Sequence, residues 1–429
     1  MSEYDYDLRP MTPSVVLVGS RSSADGYAIR DFLTRNRIVY EWRDLDAGET
    51  HAAYRPGMRL PLCLIPDGTR PEEIVVREGA TVETVARSLG LVAEPRLAEY
   101  DLAIIGAGPA GLAAAVYAAS EGLRTVVVES VAPGGQAGTT SLIENYLGFP
   151  DGVSGSQLAA RATVQAERFG AEILLARPVD DVGPDSGGYI SRLSDGTTIA
   201  SRAVLYAAGV EWRRLDAPGV DRLLGAGVYY GAGPSEALGC RGCRVVIIGG
   251  GNSAGQACMR FSRYAAHVTL LVRGDSLAAS MSQYLIDQIA ERENIEVRLR
   301  SEAVSVDGDD NLRTIGVATR GSDAIETLQA NALFICIGGI ARTQCADRVG
   351  LMLDSTHYLL TGIDLAPGGE KPPGWTLTRA PFPLETNLPG FFAAGDVRSG
   401  SVKRCAAATG EGAMSVALVH RRLAEIGGE

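Results

Sequence analysis

Residues 101–130 constrain the fold of this chain more than any other part of the sequence. They read DLAIIGAGPAGLAAAVYAASEGLRTVVVES and predict a buried strand at 102–105, a glycine turn, a helix of small residues at 112–120 and a second strand at 124–128. A βαβ unit with this turn binds the diphosphate of a dinucleotide, because the free N–H groups of the helix N-terminus face the phosphates. The sequence therefore predicts a dinucleotide-binding site here.

Each glycine of the turn meets a steric requirement of dinucleotide binding. Gly106 makes the tight turn, Gly108 lets the backbone approach a pyrophosphate, and Gly111 lets the helix pack closely on the strand. Pro109 and Ala110 complete the turn. Glu129, at the tip of the second strand, can accept hydrogen bonds from ribose hydroxyls and would repel a 2′-phosphate.

Composition narrows the class of protein. A length of 429 residues suggests about three domains. The net charge of −11 argues against nucleic acid and against an anionic membrane surface as partners. The chain opens without a leader pattern and has no apolar run of about 18 residues, so we expect a cytoplasmic protein. Seven cysteines spread over the chain fit reduced thiols, and we predict no metal site.

The pattern of residues 13–92 is strand, helix, strand, strand, helix, and it resembles a thioredoxin or glutaredoxin-like domain. Arg59-Leu60-Pro61 takes the place of the cis-proline loop of that fold. The loop before the first helix, where the redox pair of the family lies, contains Ser22, Ser23, Ala24 and Asp25 and no cysteine. We therefore predict a docking, dimerisation or lid module without thiol chemistry in that loop.

The opening pattern recurs at residue 245 as VVIIGGGNSAGQACMRFSRYAAHVTLLVRGD. Its turn contains Gly249 and Gly251, then Asn252 and Ser253, with Ala254 in the third position, where a small residue suffices. Two such units in one chain indicate two dinucleotides that exchange electrons.

From residue 99 to its end, the chain resembles the low-molecular-weight thioredoxin reductases, which are FAD-dependent pyridine nucleotide–disulfide oxidoreductases. The matching motifs are GAGPAG with Glu129, GGQ (134–136), ENY (144–146), YAAG (206–209), GGGNSA (249–254), CIG (336–338), FAAGDV (392–397) and KRCAAATGEG (403–412). The resemblance implies an α/β fold with two Rossmann-like domains. The FAD domain would comprise 97–215 and 342–429, and the NAD(P)H domain 216–341.

The resemblance also implies roles for the matching residues. The first glycine turn and Glu129 would hold the ADP half of FAD. The flavin half would be held by residues from five later motifs: Gly135, Gln136, Asn145, Gly209, Gly395, Asp396, Lys403, Arg404 and Cys405. Among these, Gln136 and Asn145 would lie beside the flavin and Asp396 on its ribityl chain. Lys403, Arg404 and Cys405 would lie at the pyrimidine edge, where positive charge stabilises the reduced ring.

The sequence departs from the family at the redox dithiol. The family has a Cys-x-x-Cys pair before the second glycine turn, and the matching positions here are near 232–235, which read AGPS. A Cys-x-x-Cys does occur about eight residues later, at Cys240 and Cys243. Two interpretations compete: a displaced redox dithiol, or a structural turn entering the next strand with Gly242 at the bend.

A second departure concerns the nucleotide. NADPH-dependent members carry several arginines after the second strand of this unit, whereas LLVRGDSLAAS keeps only Arg273. One arginine can pair with a 2′-phosphate, and no acid stands at the strand tip to select NADH. We therefore expect NADPH, with NADH as the alternative.

These features favour an FAD-dependent, NAD(P)H-linked oxidoreductase whose small-molecule substrate or acceptor is not a disulfide. The space of the missing dithiol, near 232–236, would form the substrate pocket, with Glu236 as a candidate acid or base and Cys405 as a further reactive candidate. By resemblance we expect a homodimer.

Three alternatives stay open. They are an oxygen-dependent flavin oxidase with a vestigial nucleotide domain, a thioredoxin-disulfide reductase working through Cys240 and Cys243, and a flavin-bearing sensor or adaptor that binds a protein through 13–92. A ferredoxin–NADP reductase is disfavoured, because the chain ends RRLAEIGGE without an aromatic residue to stack on the flavin.

Overall fold

The computed structural model describes residues 15–20, 23–66, 73–140, 142–231, 240–368 and 371–427. The chain divides into two compact units, Met1–Val92 with Leu224–Ala226, and Ala93–Leu223 with Gly227–Glu429.

The first unit is a small mixed sheet with two helices. Its elements are β1 (Val15–Gly19), α1 (Ala24–Arg35), β2 (Tyr40–Asp44), β3 (Leu62–Pro66), β4 (Ile74–Glu78) and α2 (Val82–Ser88). The strand order is β2-β1-β3-β4, with β1 parallel to β2 and antiparallel to β3. The edge strand β4 was not predicted from the sequence. The Leu60–Pro61 peptide bond before β3 is cis.

Local sequence explains why α1 forms. The Ser23 side chain caps the helix by accepting a hydrogen bond from the Gly26 N–H. Ile29, Phe32 and Leu33 recur at helical spacing and are fully buried.

The second unit carries the remaining elements in chain order. They are β5 (Glu99–Ile105), α3 (Pro109–Ser120), β6 (Thr125–Val128), α4 (Gly155–Arg168), β7 (Glu172–Leu174), β8 (Val179–Asp185), β9 (Gly188–Leu193), β10 (Thr198–Tyr206), β11 (Val210–Trp212), β12 (Val228–Tyr230), β13 (Arg244–Ile248), α5 (Asn252–Phe261), β14 (His267–Val272), α6 (Gln283–Ala290), β15 (Ile295–Leu299), β16 (Ser301–Asp307), β17 (Thr314–Thr319), β18 (Ile325–Gln329), β19 (Ala332–Ile335), β20 (Gly339–Ala341), α7 (Gln344–Val349), β21 (Phe391–Ala393) and α8 (Cys405–Gly427).

Two sheets organise this unit. The first has the order β7-β6-β5-β10-β9-β8, with β21 also paired to β10, and α3 and α8 contribute to its buried core. The second has the order β12-β19-β13-β14-β15, and all its strands are parallel. The expected α/β class with two Rossmann-like units is confirmed.

Helix α3 begins earlier than the sequence predicts, at Pro109 rather than at residue 112, so Gly111 lies inside its first turn. Helix α4 ends at Arg168, and Gly170 just beyond it adopts a left-handed conformation before β7 begins at Glu172. Within the described residues, no helix combines the length and the apolar character needed to span a membrane.

Candidate functional site

The first glycine turn is shaped by close backbone packing. Gly106 has φ +101°, and a Cβ there would lie 2.5 Å from the Ala207 carbonyl oxygen. A Cβ at Gly111 would lie 1.9 Å from the Gly106 carbonyl oxygen. Both positions therefore accept only glycine. A Cβ at Gly108 would meet nothing within 4 Å, so this glycine borders open space.

Helix α3 presents its N-terminus to that space. Its N-cap is Gly108, which has no side chain to cap the helix, and Pro109 occupies the first helical position. The N–H groups of Ala110 and Gly111 therefore have no capping side chain and are available to an anion.

Glu129 is buried at the tip of β6 and holds the turn. Its Oε2 accepts a hydrogen bond from the Ala107 N–H at 2.8 Å, and its Oε1 accepts one from the Val131 N–H at 2.9 Å. Each carboxylate oxygen keeps further acceptor capacity for a ribose hydroxyl.

The GGQ loop lies directly on the turn. The Gly134 N–H donates to the Ala107 carbonyl at 2.7 Å, and a Cβ at Gly135 would lie 3.2 Å from the Gly108 Cα. The Gln136 side-chain amide donates to the Val210 carbonyl at 2.8 Å, which joins this loop to the residue after Gly209.

A second group of predicted residues meets at the start of α8. The Gly395 N–H donates to Glu411 Oε2 at 2.7 Å, and Lys403 Nζ donates to the Asp396 backbone carbonyl at 2.6 Å. Lys403 Nζ also lies 4.2 Å from the centre of the Tyr358 ring.

Burial controls the ionisation of this group. Burial raises the pKa of Asp396 despite the nearby Lys403 ammonium, and desolvation lowers the pKa of Lys403. Burial, and then the Asp396 charge, raise the pKa of Cys405 to about 11. The Cys405 thiol is therefore protonated at neutral pH.

Asn145 and Arg404 are less closely tied to the others. Both are exposed, Asn145 on the 144–149 loop and Arg404 just before α8. The neighbouring Tyr146 hydroxyl donates to Thr409 Oγ1 at 3.3 Å, which connects that loop to α8.

The second glycine turn is shaped by close backbone packing in the same way as the first. Gly249 has φ +145°, and a Cβ there would lie 2.3 Å from the Cys336 carbonyl oxygen. At Gly251 a Cβ would meet only the Ser280 carbonyl oxygen, at 3.9 Å. Gly251 caps α5 without a side chain, and Ala254 is fully buried in the third position.

Three further predicted residues flank this turn. The Asn252 side chain donates to Ser282 Oγ at 2.8 Å and accepts from the Ser282 N–H at 2.7 Å. Its amide group therefore fixes the segment between β14 and α6. Ser253 is exposed in the first turn of α5, and Arg273 is exposed directly after β14.

The comparisons with known proteins agree with this pair of turns. A family model described as "Pyridine nucleotide-disulphide oxidoreductase" matches residues 100–412. The chain belongs to this family.

Relatives and solved structures point the same way. A thioredoxin reductase of Neurospora crassa is 32% identical over 339 residues, which cover 75% of this chain and 93% of that protein. A thioredoxin reductase of Listeria monocytogenes is 32% identical over 317 residues, covering 74% of this chain and 91% of that protein. The crystal structure of T. acidophilum thioredoxin reductase has a TM-score of 0.67 at 27% identity, covering 76% of this chain and 99% of that one.

The chain is therefore an FAD-dependent oxidoreductase linked to a nicotinamide nucleotide, and the family uses FAD and NADPH. The residues present fit both groups, because each turn leaves room beside a helix that begins without a capping side chain: a Cβ at Gly108 would meet nothing within 4 Å, and one at Gly251 only an ordinary contact at 3.9 Å. FAD held there would supply the redox chemistry, which is the uptake of hydride from a nicotinamide nucleotide and the transfer of electrons to a second substrate.

Cys240 and Cys243 lie on the turn that leads into β13. The Cys243 N–H donates to the Cys240 carbonyl at 3.0 Å, and Gly242 at the bend has φ +72°. This turn directly precedes β13, whereas the glycine turn follows the other end of that strand. Cys240 is 5% exposed and packs in the core of the nucleotide-binding sheet. Glu236 and the expected pocket near 232–236 lie outside the described residues.

Sequence reasoning missed two residues of the α8 group. Glu411 accepts from the Gly395 N–H and pairs with Arg398 at 2.6 Å, and Tyr358 lies under the Lys403 ammonium. Glu411 lies within the GEG portion of a recognised motif, which was a usable signal. No local signal marked Tyr358, which is 45 residues away from Lys403 along the chain.

Proposed function

We propose that this enzyme transfers electrons from NADPH through FAD to an acceptor that is not a disulfide. The supporting observation is the position of Cys240 and Cys243 at the amino end of β13. Dinucleotides bind at the carboxyl ends of the strands in parallel sheets of this type. The five residues of β13 span about 16 Å at about 3.3 Å per residue, so the two thiols lie at the opposite edge of the sheet.

The sequence at the position of the family dithiol supports the same proposal. Residues 232–235 follow β12 and contain no cysteine. Strand β12 is parallel to β19, so its carboxyl end lies at the same edge as the second glycine turn. A small acceptor bound near this edge would take the place of a protein disulfide.

The chain's own residues are suited to hold the cofactors. In this proposal Glu129 and the α3 N-terminus bind the ADP half of FAD, and Gln136 and Asp396 lie along the flavin half. Lys403 and the N-terminus of α8 supply positive charge near the ring edge, where negative charge develops on reduction.

We propose that the first unit is a thioredoxin-fold docking module without thiol chemistry. The strand order β2-β1-β3-β4 supports the fold. Its cysteine, Cys63, is fully buried in β3, and burial raises the pKa of that thiol to about 12. We also propose that the enzyme is a cytoplasmic homodimer and that it uses this unit to contact a protein partner.

A second candidate function is thioredoxin-disulfide reduction through Cys240 and Cys243. It is favoured by the relatives, which are named thioredoxin reductases and match about three quarters of this chain. In that case the turn before β13 would have to deliver its thiols to the flavin.

A reductive titration separates the two functions. The holoenzyme is titrated anaerobically with dithionite while flavin absorbance is followed. A flavin without a coupled dithiol takes up about one two-electron equivalent, and a flavin coupled to a disulfide takes up about two. We expect about one equivalent, and the same value for the Cys240→Ser/Cys243→Ser double variant.

Turnover provides the second measurement. We expect the double variant to retain NADPH-dependent reduction of a quinone acceptor, with Cys345→Ser as the control for thiol removal elsewhere. Uptake of about two equivalents by the wild type, falling to about one in the double variant, would instead assign the dithiol function.

A further inference from the structure

Strand register brings an arginine that follows β15 beside Arg273. Strands β14 and β15 are parallel, and Val272 pairs with Leu299 at their carboxyl ends. Arg273 and Arg300 are the next residues of the two strands. Because neighbouring strands lie about 4.8 Å apart, the two arginines leave the sheet side by side.

A third arginine joins them from the antiparallel sheet formed by β16, β17 and β18. Ser301, the first residue of β16, pairs with Thr319, the last residue of β17. The next residue, Arg320, donates its backbone N–H to the Arg300 carbonyl at 2.8 Å. Its guanidinium donates to the Arg273 carbonyl at 3.4 Å. The arginine cluster therefore consists of Arg273, Arg300 and Arg320.

One carboxylate bridges two members of the arginine cluster. Asp275 Oδ1 lies 3.8 Å from Arg300 Nε, and Asp275 Oδ2 lies 3.6 Å from Arg320 Nη1. The Asp275 side chain is 73% exposed, that of Arg300 60% and that of Arg320 63%. Long, solvent-exposed ion pairs of this kind contribute little stability, so a stronger anion can displace the aspartate.

The arginine cluster lies next to the second glycine turn. The Gly249 N–H donates to the Leu271 carbonyl at 3.0 Å, and Ser280 Oγ donates to the Gly250 carbonyl at 2.8 Å. The segment after β14 is thereby tied to the turn. In Rossmann units the adenosine ribose lies between the glycine turn and the tip of the following strand, which is where the arginine cluster stands.

The backbone of Arg300 holds its side chain at the end of β15. Arg300 is the single residue between β15 and β16, and its φ is +56°, in the left-handed region. The turn between the two strands therefore keeps this arginine at the same sheet edge as Arg273.

We propose that Arg300 and Arg320, together with Arg273, bind the 2′-phosphate of NADPH, and that this phosphate displaces Asp275 from between the two guanidinium groups. The arginine cluster thus replaces the run of arginines that the loop after β14 lacks. Guanidinium groups suit this role because they pair with phosphate through two parallel hydrogen bonds. The inference rests on the nucleotide site alone and is independent of which acceptor the enzyme reduces.

Isothermal titration calorimetry of the FAD-loaded enzyme tests the proposal with two redox-inactive probes. 2′,5′-ADP carries the extra phosphate, and 5′-AMP lacks it. We expect the wild type to prefer 2′,5′-ADP, and Arg300→Asn and Arg320→Ala each to lose about tenfold of that preference with 5′-AMP binding unchanged. Asparagine tolerates the left-handed conformation, so Arg300→Asn also keeps the fold.

Two further variants sharpen the test. Arg313→Ala is the matched control, because Arg313 precedes β17 and pairs with Asp309 at the other end of that strand. It should leave the preference unchanged. Asp275→Asn should strengthen 2′,5′-ADP binding, since it removes the competing anion.

Three results would overturn the proposal. They are equal binding of both probes by the wild type, an unchanged preference in Arg300→Asn and Arg320→Ala, and a loss of 5′-AMP binding in Asp275→Asn. The last result would make Asp275 a ribose ligand that selects NADH.

Discussion

The crossing of α3 and α8 depends on Gly412, the last residue of the 403–412 motif. A Cβ at Gly412 would lie 2.0 Å from the Ala110 carbonyl oxygen and 3.1 Å from the Ala110 Cα, whereas ordinary contacts begin near 3.4 Å. The Gly412→Ala variant would therefore have to separate the two helices by roughly 1 Å in a close-packed core.

Two opposing contributions determine how much the Gly412→Ala substitution changes the free energy of unfolding. Overpacking of this kind destabilises by about 1–3 kcal/mol, and we expect the upper end because Val416 and Val419 of the same helix are fully buried. Replacing glycine by alanine inside a helix stabilises the folded state by about 1 kcal/mol. The expected net loss of unfolding free energy is about 2 kcal/mol.

The matched control is Gly410→Ala in the same helix. Gly410 is exposed, and a Cβ there would meet nothing within 4 Å. This variant should gain up to about 1 kcal/mol, so the two substitutions should differ by about 3 kcal/mol.

Urea unfolding of the holoenzyme, followed by circular dichroism and by flavin fluorescence, measures both variants. We also expect Gly412→Ala to release FAD at lower urea, because Ala110 belongs to the helix turn that faces the open space beside Gly108. A Gly412→Ala variant as stable as Gly410→Ala would refute the reasoning.

Two further predictions concern ionisation. Burial opposes the charge on Asp354, but hydrogen bonds from Ser399 and Thr356 outweigh it and lower its pKa from 3.8 to about 2. A depressed pKa stabilises the fold above the unfolded-state pKa, so Asp354→Asn should lower the unfolding free energy by about 1 kcal/mol at neutral pH, a loss that shrinks as the pH falls from about 4 towards 2. A difference that is constant across that range in urea unfolding would contradict the assignment. Because the pKa of Cys405 is about 11, its alkylation by iodoacetamide, followed by peptide mass spectrometry, should accelerate about tenfold per pH unit without levelling off below about pH 10.

The sequence determined the parts of this protein whose chemistry is local. A glycine turn needs strand, glycines and helix within about thirty contiguous residues, so both turns, the tip residue Glu129 and the α/β class could be predicted. The motif residues at 395–405 were also identifiable, because they sit in one continuous segment.

Only the tertiary structure decided which distant segments meet. Arg300 and Arg320 join Arg273 because strand register aligns three strand ends, and no spacing along the chain encodes register. The same applies to Gly412, whose need for glycine comes from the Ala110 carbonyl of another helix, about 300 residues earlier. The position of Cys240 and Cys243 likewise depends on which edge of the sheet their turn occupies. Local motifs report what a segment can bind, and the packing of strands and helices decides which side chains stand around it.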